Sequence, residues 1–336
     1  MNRARAALIS IVCLTAFVAL ASTARADGLP ASGFDVGADG VAAASSPFRY
    51  VALRAGHDTL LARTAQQGGQ VMFSRRIPGR FTIPAVAYDG SASGLSADQQ
   101  TLVLIRPRAG FPQRRTVIAI VDTPRLRARV VRLHGDFSFD AISPNGRWAY
   151  LIHYLSPRNQ TRYEVRAFDL EKRRLVPGPI VDPREPGEQM QGIPLTRATS
   201  PDGRWAYTLY SGEEPFVHAL DTARRTAVCV DLPRPVWRRI LAVSAASTRL
   251  SVGAGGDQLA VLADAEPVAL IDTRSFSVTL PSKVGVAPGG EPGSFPWITL
   301  LVLGIAAGAT MIGALRLREG RAPSAQPAAP LRPERR

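Results

Sequence analysis

Short apolar runs separated by turn residues fill the middle of the chain, from residue 45 to residue 281. The run from Thr226 to Leu232 alternates apolar and polar positions, which is the period of two that places successive side chains on opposite faces of a β-strand. Other apolar runs end in an aspartate that is usually followed by threonine. These aspartates are Asp122, Asp169, Asp221 and Asp272, and the steps between them are 47, 52 and 51 positions. The pattern predicts an all-β chain built from repeated units of about 50 residues.

A second recurring feature is the segment SPNGRWAY at residues 143–150, which returns as SPDGRWAY at residues 200–207 with one residue changed. Ser-Pro followed by Asn-Gly or Asp-Gly predicts a tight turn, because proline presets φ and glycine accepts the positive φ that closes the turn. The Arg-Trp-Ala-Tyr that follows predicts the start of a strand. Eroded copies lie at residues 96–104 and 255–262, and a first unit lies at residues 48–59.

These copies make five units, each with three or four strands. A turn with Ser-Pro-Asp-Gly, a Tyr- or Leu-bearing strand and a strand closing in Ile-Asp-Thr resembles the YVTN and related WD-like β-propeller repeats. The resemblance covers roughly residues 45–281 and implies an all-β fold, a β-propeller of about five to seven four-stranded blades. Such propellers include lactonases, lyases, redox enzymes and non-catalytic binding domains, so the resemblance does not select an activity.

The two ends of the chain predict an export signal and a membrane anchor. Residues 1–26 combine arginines, an apolar run and an Ala-Arg-Ala cleavage site, as secretory signal peptides do. Residues 295–315 carry no charge and match the length of about 20 residues that spans a bilayer as one C-terminal transmembrane helix. The arginines that follow predict a cytoplasmic tail at residues 316–336, because positive residues stay on the inner side of the membrane.

The rest of the chain is expected to lie outside a bacterial plasma membrane that it crosses once. An N-terminal linker at residues 27–44 precedes the propeller, and a Gly/Pro-rich stalk at residues 282–294 follows it. The basic tail is rich in proline and alanine and is expected to be disordered. A sortase-type signal would also combine an apolar run with a basic tail, but residues 280–284 do not supply its LPxTG-like site.

The charge composition of the chain indicates which kinds of partner it could bind. Only two of the 41 basic residues are lysines, a bias typical of GC-rich bacterial genomes. The signal and the tail hold nine of the basic residues and two of the 27 acidic ones, which leaves the ectodomain near +7. Such a surface could favour anionic lipid or envelope polymers, although a solvated surface of mixed charge has the same count. An exported domain without a basic-aromatic cluster is not expected to bind nucleic acid.

Cys229 is the one cysteine that remains after removal of the signal, so the exported domain has no intramolecular disulfide. We expect Cys229 to be a buried, inert thiol on a strand, and pairing between chains is the alternative.

The sequence shows no catalytic constellation, and the catalytic residues stay unknown. No histidine stands at a metal-ligand spacing, so neither a metal site nor a cofactor is predicted. The repeated aspartates are expected to accept backbone N–H bonds in their turns. The segment Gly90–Gly94 has Ala92 where a nucleophile elbow needs serine. The four histidines are His57, His134, His153 and His218, and the segments that differ between units are residues 155–162, 182–191 and 233–239.

Two functions follow from these observations. The favoured one is a cell-surface, single-pass propeller that binds a protein or an anionic envelope polymer without catalysis, using the segments that differ between blades. The alternative is a membrane-tethered propeller enzyme, a lactonase- or lyase-like hydrolase, whose acidic and histidine side chains meet at the propeller axis. Three or more such side chains converging on the axis would favour the enzyme.

Overall fold

The computed structural model describes residues 40–43, 46–187, 190–212 and 214–281. These residues form five antiparallel sheets, and in every sheet the strands follow one another in chain order. We call the sheets blades 1 to 5, since each corresponds to one predicted unit. The predicted signal peptide, stalk, transmembrane helix and tail lie outside the described residues.

The strands are short, and each blade contains three or four of them. Blades 1 and 2 contain β1 (Phe48–Ala55), β2 (Asp58–Ala65), β3 (Val71–Ile77), β4 (Thr101–Ile105), β5 (Arg115–Asp122) and β6 (Arg127–His134). Blade 3 contains β7 (Phe137–Ile142), β8 (Trp148–Tyr154), β9 (Tyr163–Asp169) and β10 (Arg174–Leu175). Blade 4 contains β11 (Ile193–Thr199), β12 (Trp205–Ser211), β13 (Phe216–Asp221) and β14 (Thr226–Asp231). Blade 5 contains β15 (Thr248–Val252), β16 (Gln258–Ala263), β17 (Glu266–Asp272) and β18 (Val278–Thr279).

In blades 1 and 2, isolated β-bridges pair with the first strand of the sheet. These bridges occupy the place that a complete strand fills in blades 3 to 5, so β3 and β6 are the outermost strands of their blades. The bridges join Val41 to Tyr50, Thr82 to Ile105 and Leu95 to Leu102.

Four hydrophobic clusters connect the blades in chain order. The clusters join blade 1 to blade 2, blade 2 to blade 3, blade 3 to blade 4, and blade 4 to blade 5. A blade that lies between two other blades has both faces of its sheet buried. In blade 4, for example, all six residues of β13 are buried. Consecutive antiparallel sheets packed face to face in this way form a β-propeller, and the predicted fold class is confirmed at that level.

One predicted loop is a helix instead. Residues 233–239, which differ from the corresponding positions of the other units, are a candidate binding loop in the sequence, but α1 spans Arg234–Ala242 and is followed by a 3-10 turn at Ala245–Ser247. Val236 and Ile240 lie four positions apart and both pack into the cluster between blades 4 and 5. This i, i+4 apolar pair is the reason for the helix. No helix among the described residues has the length and apolar character needed to cross a membrane.

Candidate functional site

The repeated turns have the same hydrogen bonds in both copies. Ser143 Oγ accepts a hydrogen bond from Trp148 N at 2.9 Å, and Ser200 Oγ accepts one from Trp205 N at 2.8 Å. The glycine of each turn has a positive φ, +65° at Gly146 and +73° at Gly203. Ser-Pro-Asx-Gly therefore closes each turn as the sequence predicts.

The eroded copy in blade 2 forms the same turn without proline or glycine. Ser96 Oγ accepts from Thr101 N at 3.0 Å, and Asp98 Oδ1 accepts from Gln100 N at 3.0 Å. Gln99 takes the glycine position with φ +59°. The serine and aspartate therefore keep the turn, and the predicted repeat in blade 2 is confirmed.

Three of the four repeated aspartates have the predicted structural role. Asp169, Asp221 and Asp272 each accept hydrogen bonds from two backbone N–H groups of the turn that follows. Asp122 instead lies 3.6 Å from Arg125 in an ion pair. These carboxylates stabilise their own blades and do not form a ring of cation ligands.

The repeated turns also lie against one another. A Cβ added at Gly146 would lie 2.7 Å from Thr101 Cβ of blade 2, and one added at Gly203 would lie 2.7 Å from Ala97 Cβ of the same blade. Asp98 N donates to the carbonyl of Pro144 at 3.0 Å. Turns from blades 2, 3 and 4 therefore meet, and glycine is needed where they touch.

A hairpin between the two bridges of blade 2 reaches blade 4. Within it, Val86 N donates to Ser91 O at 2.8 Å. At its tip, Tyr88 N donates to Pro194 O at 2.8 Å and Asp89 N to Leu195 O at 3.0 Å, both on β11. We call residues 84–93 the axial hairpin, because it passes blade 3 and joins the first strands of blades 2 and 4. The rejected nucleophile elbow, residues 90–94, lies partly in this hairpin.

Two buried ion pairs lie beside the first strand of blade 3. Arg197 on β11 pairs with Asp140 on β7, and the two side chains are 4% and 3% exposed. Arg108, between β4 and β5, pairs with Asp136 just before β7, with 4% and 7% exposure. Each pair joins neighbouring blades and leaves no net charge in the interior, which is the condition for burying charged groups.

His218 on β13 is buried between blades 3 and 4. Burial lowers the pKa of His218 to about 4, so its imidazole is neutral at pH 7. The Tyr210 ring contacts it edge to face, with centroids 6.3 Å apart. The other three histidines, His57, His134 and His153, lie in blades 1, 2 and 3. The four histidines of the sequence therefore belong to four different blades. Within the described ranges, no three His, Cys, Asp or Glu side chains are grouped so as to hold a metal ion.

The segments that differ between blades form separate surface features. Residues 155–162 make a loop between β8 and β9, in which Asn159 Oδ1 accepts from Thr161 N at 2.9 Å. Asp182 is buried and accepts hydrogen bonds from Arg184 Nη2 at 2.6 Å and from Cys229 N at 2.9 Å. Cys229 is half-buried, so the expected full burial of its thiol was wrong.

Sequence reasoning missed a strongly basic surface. We call it the arginine face, and it consists of the two outermost strands β3 and β6. Neither strand contains an acidic residue, and all five of their arginines are exposed: Arg75, Arg76, Arg127, Arg129 and Arg132. The signal in the sequence is the acid-free composition of residues 71–77 and 127–134, which lie outside the repeated motifs.

Comparisons with known proteins add no family. No family model and no curated protein matches the sequence. The chain is similar to hydrazine synthase of Kuenenia stuttgartiensis, with 13% identity, a TM-score of 0.42 and coverage of 71% of this chain and 63% of that one. It is also similar to dihydro-heme d1 dehydrogenase NirN, with 13% identity, a TM-score of 0.42 and coverage of 71% and 44%.

A third similar structure is TolB from Acinetobacter baumannii, with 14% identity, a TM-score of 0.34 and coverage of 70% of this chain and 58% of that one. The chain thus spans less than two thirds of the length of each of these proteins. At these TM-scores the similarity carries no argument. The propeller assignment therefore rests on the five sheets and the four clusters between them.

Proposed function

We propose that this protein is a single-pass, cell-surface β-propeller that binds an anionic partner without catalysing a reaction. The observation that carries the proposal is the arginine face, where five exposed arginines lie on two neighbouring outer strands. Arginine binds phosphate and carboxylate groups through its planar fork of donors, so such a surface suits a protein or envelope polymer of negative charge.

The alternative, an enzyme with its site at the axis, requires space between the first strands of the blades. The axial hairpin occupies that region between blades 2 and 4, and its residues Val86 and Ala87 are buried. The acidic side chains near blade 3, Asp136 and Asp140, are each engaged by an arginine. These contacts favour a binding function for the outer surface over catalysis at the centre.

The membrane part of the proposal comes from the sequence. Residues 1–26 supply the export signal, and residues 295–315 supply the span with arginines on its cytoplasmic side. The propeller then lies outside the cell, and the stalk at residues 282–294 connects it to the bilayer.

The experiment that tests this function combines topology with binding. In cells that express the full chain with an epitope at each end of residues 46–281 and another on the tail, external protease should remove the first epitopes and spare the last. Alkaline carbonate should leave the chain in the membrane fraction. A chain released by carbonate, or a propeller shielded from protease, would overturn the proposed location.

Binding is measured on detergent-solubilised full chain with immobilised envelope polymers and membrane proteins. Changing all five arginines of the arginine face to glutamine should abolish retention at moderate salt. The matched control changes five exposed arginines outside the arginine face and outside the segments that differ between blades to glutamine, and it removes the same charge: Arg173, Arg174, Arg224, Arg249 and Arg274. Equal loss in the two variants would show that net charge, and not the arginine face, is responsible.

A further inference from the structure

We propose that the arginine face lies on the surface of the same membrane that anchors the chain, with the anionic lipid headgroups as its partner. This inference rests on the proposed function, because it requires the propeller to be tethered outside the bilayer. The face combines two chemistries that a bilayer surface recognises together, positive charge and exposed apolar side chains.

The charge of the face is largely uncompensated. Of the five arginines of the face, Arg76 is the one that forms an ion pair among the described residues, and its Nη1 lies 3.6 Å from Asp58 Oδ2. That pair is weak because the Arg76 side chain is 65% exposed to water. Asp122 lies opposite Arg127 in the register of β5 and β6, but its ion pair is with Arg125, outside the face. The arginines are therefore available to anionic headgroups.

The apolar side chains of the face lie in the same strand as its arginines. Val71, Met72 and Phe73 are 58%, 51% and 38% exposed, and they begin β3 directly after the turn that follows β2. Val130 on β6 is exposed as well. A soluble polyanion would contact the arginines alone, whereas the interface of a bilayer also accepts apolar side chains beside the headgroups. The combination therefore favours a lipid surface over a polymer.

A simpler explanation is that arginines protect the outer edges of the sheets from pairing with other chains. Two observations oppose it. The outermost strands of blades 3, 4 and 5, which are β10, β14 and β18, together contain one arginine, Arg174, so edge protection by arginine is not general in this fold. Exposed Val71, Met72 and Phe73 would also make β3 more prone to edge pairing, not less. The face is thus specific to blades 1 and 2 and is poorly suited to edge protection.

The predicted stalk permits the contact. Residues 282–294 are rich in Gly and Pro, and a flexible linker with the same number of residues has a root-mean-square length of about 20 Å, from about 5–6 Å times the square root of the number of residues. A propeller held within that distance meets the bilayer at high effective concentration, so even a weak headgroup contact becomes populated. Each arginine removed should then lower the contact equilibrium roughly fivefold.

The test is hydrogen exchange of the full chain reconstituted in two kinds of vesicle. One kind is pure phosphatidylcholine, and the other contains equal parts of phosphatidylcholine and phosphatidylglycerol. Amides of residues 71–77 and 127–134 should exchange more slowly in the anionic vesicles, and added salt should remove the difference. The internal control is α1, whose exposed Leu241 belongs to a different surface and whose exchange should not change.

Two variants separate the contributions of charge and apolar contact. The five-arginine glutamine variant should lose the protection, and α1 exchange reports whether the propeller is still folded. Met72→Ser with Phe73→Ser keeps all the arginines and should reduce the protection of residues 71–77 in anionic vesicles. Equal exchange of residues 71–77 in the two kinds of vesicle would overturn the proposal.

The outcomes also separate this inference from the proposed function. Soluble polyphosphate is added to the protein in phosphatidylcholine vesicles as a third arm. If polyphosphate protects the arginine face but anionic vesicles do not, the partner is a polymer, so the lipid proposal fails and the proposed function stands. If neither protects the face, both fail.

Discussion

Asp140→Asn tests whether the buried pair with Arg197 stabilises the contact between blades 3 and 4. Both side chains are almost fully buried, and Arg197 Nη1 also donates to the backbone carbonyl of Asp140 at 3.1 Å. Asparagine keeps the volume of aspartate but leaves the guanidinium charge uncompensated. Loss of one partner of a buried pair destabilises by about 3–5 kcal/mol, and we expect about 3 kcal/mol because the backbone acceptor remains.

Urea unfolding of the detergent-solubilised chain, followed by tryptophan fluorescence, measures this loss. With an m-value of about 3 kcal/mol/M, the midpoint should fall by about 1 M. Arg197→Met combined with Asp140→Asn should be more stable than Arg197→Met alone, because no buried charge remains unpaired. The control is Glu266→Gln, which breaks an exposed pair with Arg239 and should change stability by less than about 1 kcal/mol. An Asp140→Asn loss no larger than that of the control would refute the role assigned to the buried pair.

Two further predictions concern a turn and a titrating group. Gly146→Ala should destabilise the protein by at least about 1 kcal/mol more than Gly56→Ala in the same urea assay. The two glycines have nearly the same φ, +65° at Gly146 and +68° at Gly56, but only Gly146 faces a neighbouring residue, Thr101. Equal losses would contradict the contact between turns. Burial lowers the pKa of His218 to about 4 from 6.5, so the unfolded state binds the extra proton. Stability should therefore be full above pH 6.5 and fall by up to about 3 kcal/mol towards pH 4, and an unchanged pH profile in His218→Asn would count against this assignment.

The local elements could be predicted because their causes lie within a few residues. Ser143 and Ser200 each cap a turn whose other members are within five positions, and Asp169 and Asp221 each accept hydrogen bonds from the backbone amides two and three positions further on. Repetition of such short-range patterns revealed five units without any knowledge of how they pack, although the predicted number of blades stayed at five to seven. The strand order within a unit thus follows from turn chemistry, and the number of blades does not.

The contacts that define the centre could not be predicted in this way. Asp140 and Arg197 are 57 positions apart and belong to different blades, and neither occupies a repeated position in the turns. The axial hairpin bonds through backbone atoms of Tyr88 and Asp89, which impose no requirement on side-chain identity. A single sequence therefore carries no periodic signal for either feature. The helix α1 was missed for a related reason, since its two buried positions span little more than one turn.

The arginine face follows a different logic from the repeated residues. Residues that recur in every blade stabilise turns, so their side chains are already engaged within the fold. The side chains that remain available to a partner are those that the repeat does not constrain, on the outermost strands. Among those strands, β3 and β6 differ from β10, β14 and β18 in combining several arginines with exposed apolar residues. The fold requires neither feature at these positions, so their presence on two neighbouring blades is what the proposed binding surface has to account for, and the architecture of the propeller does not account for it.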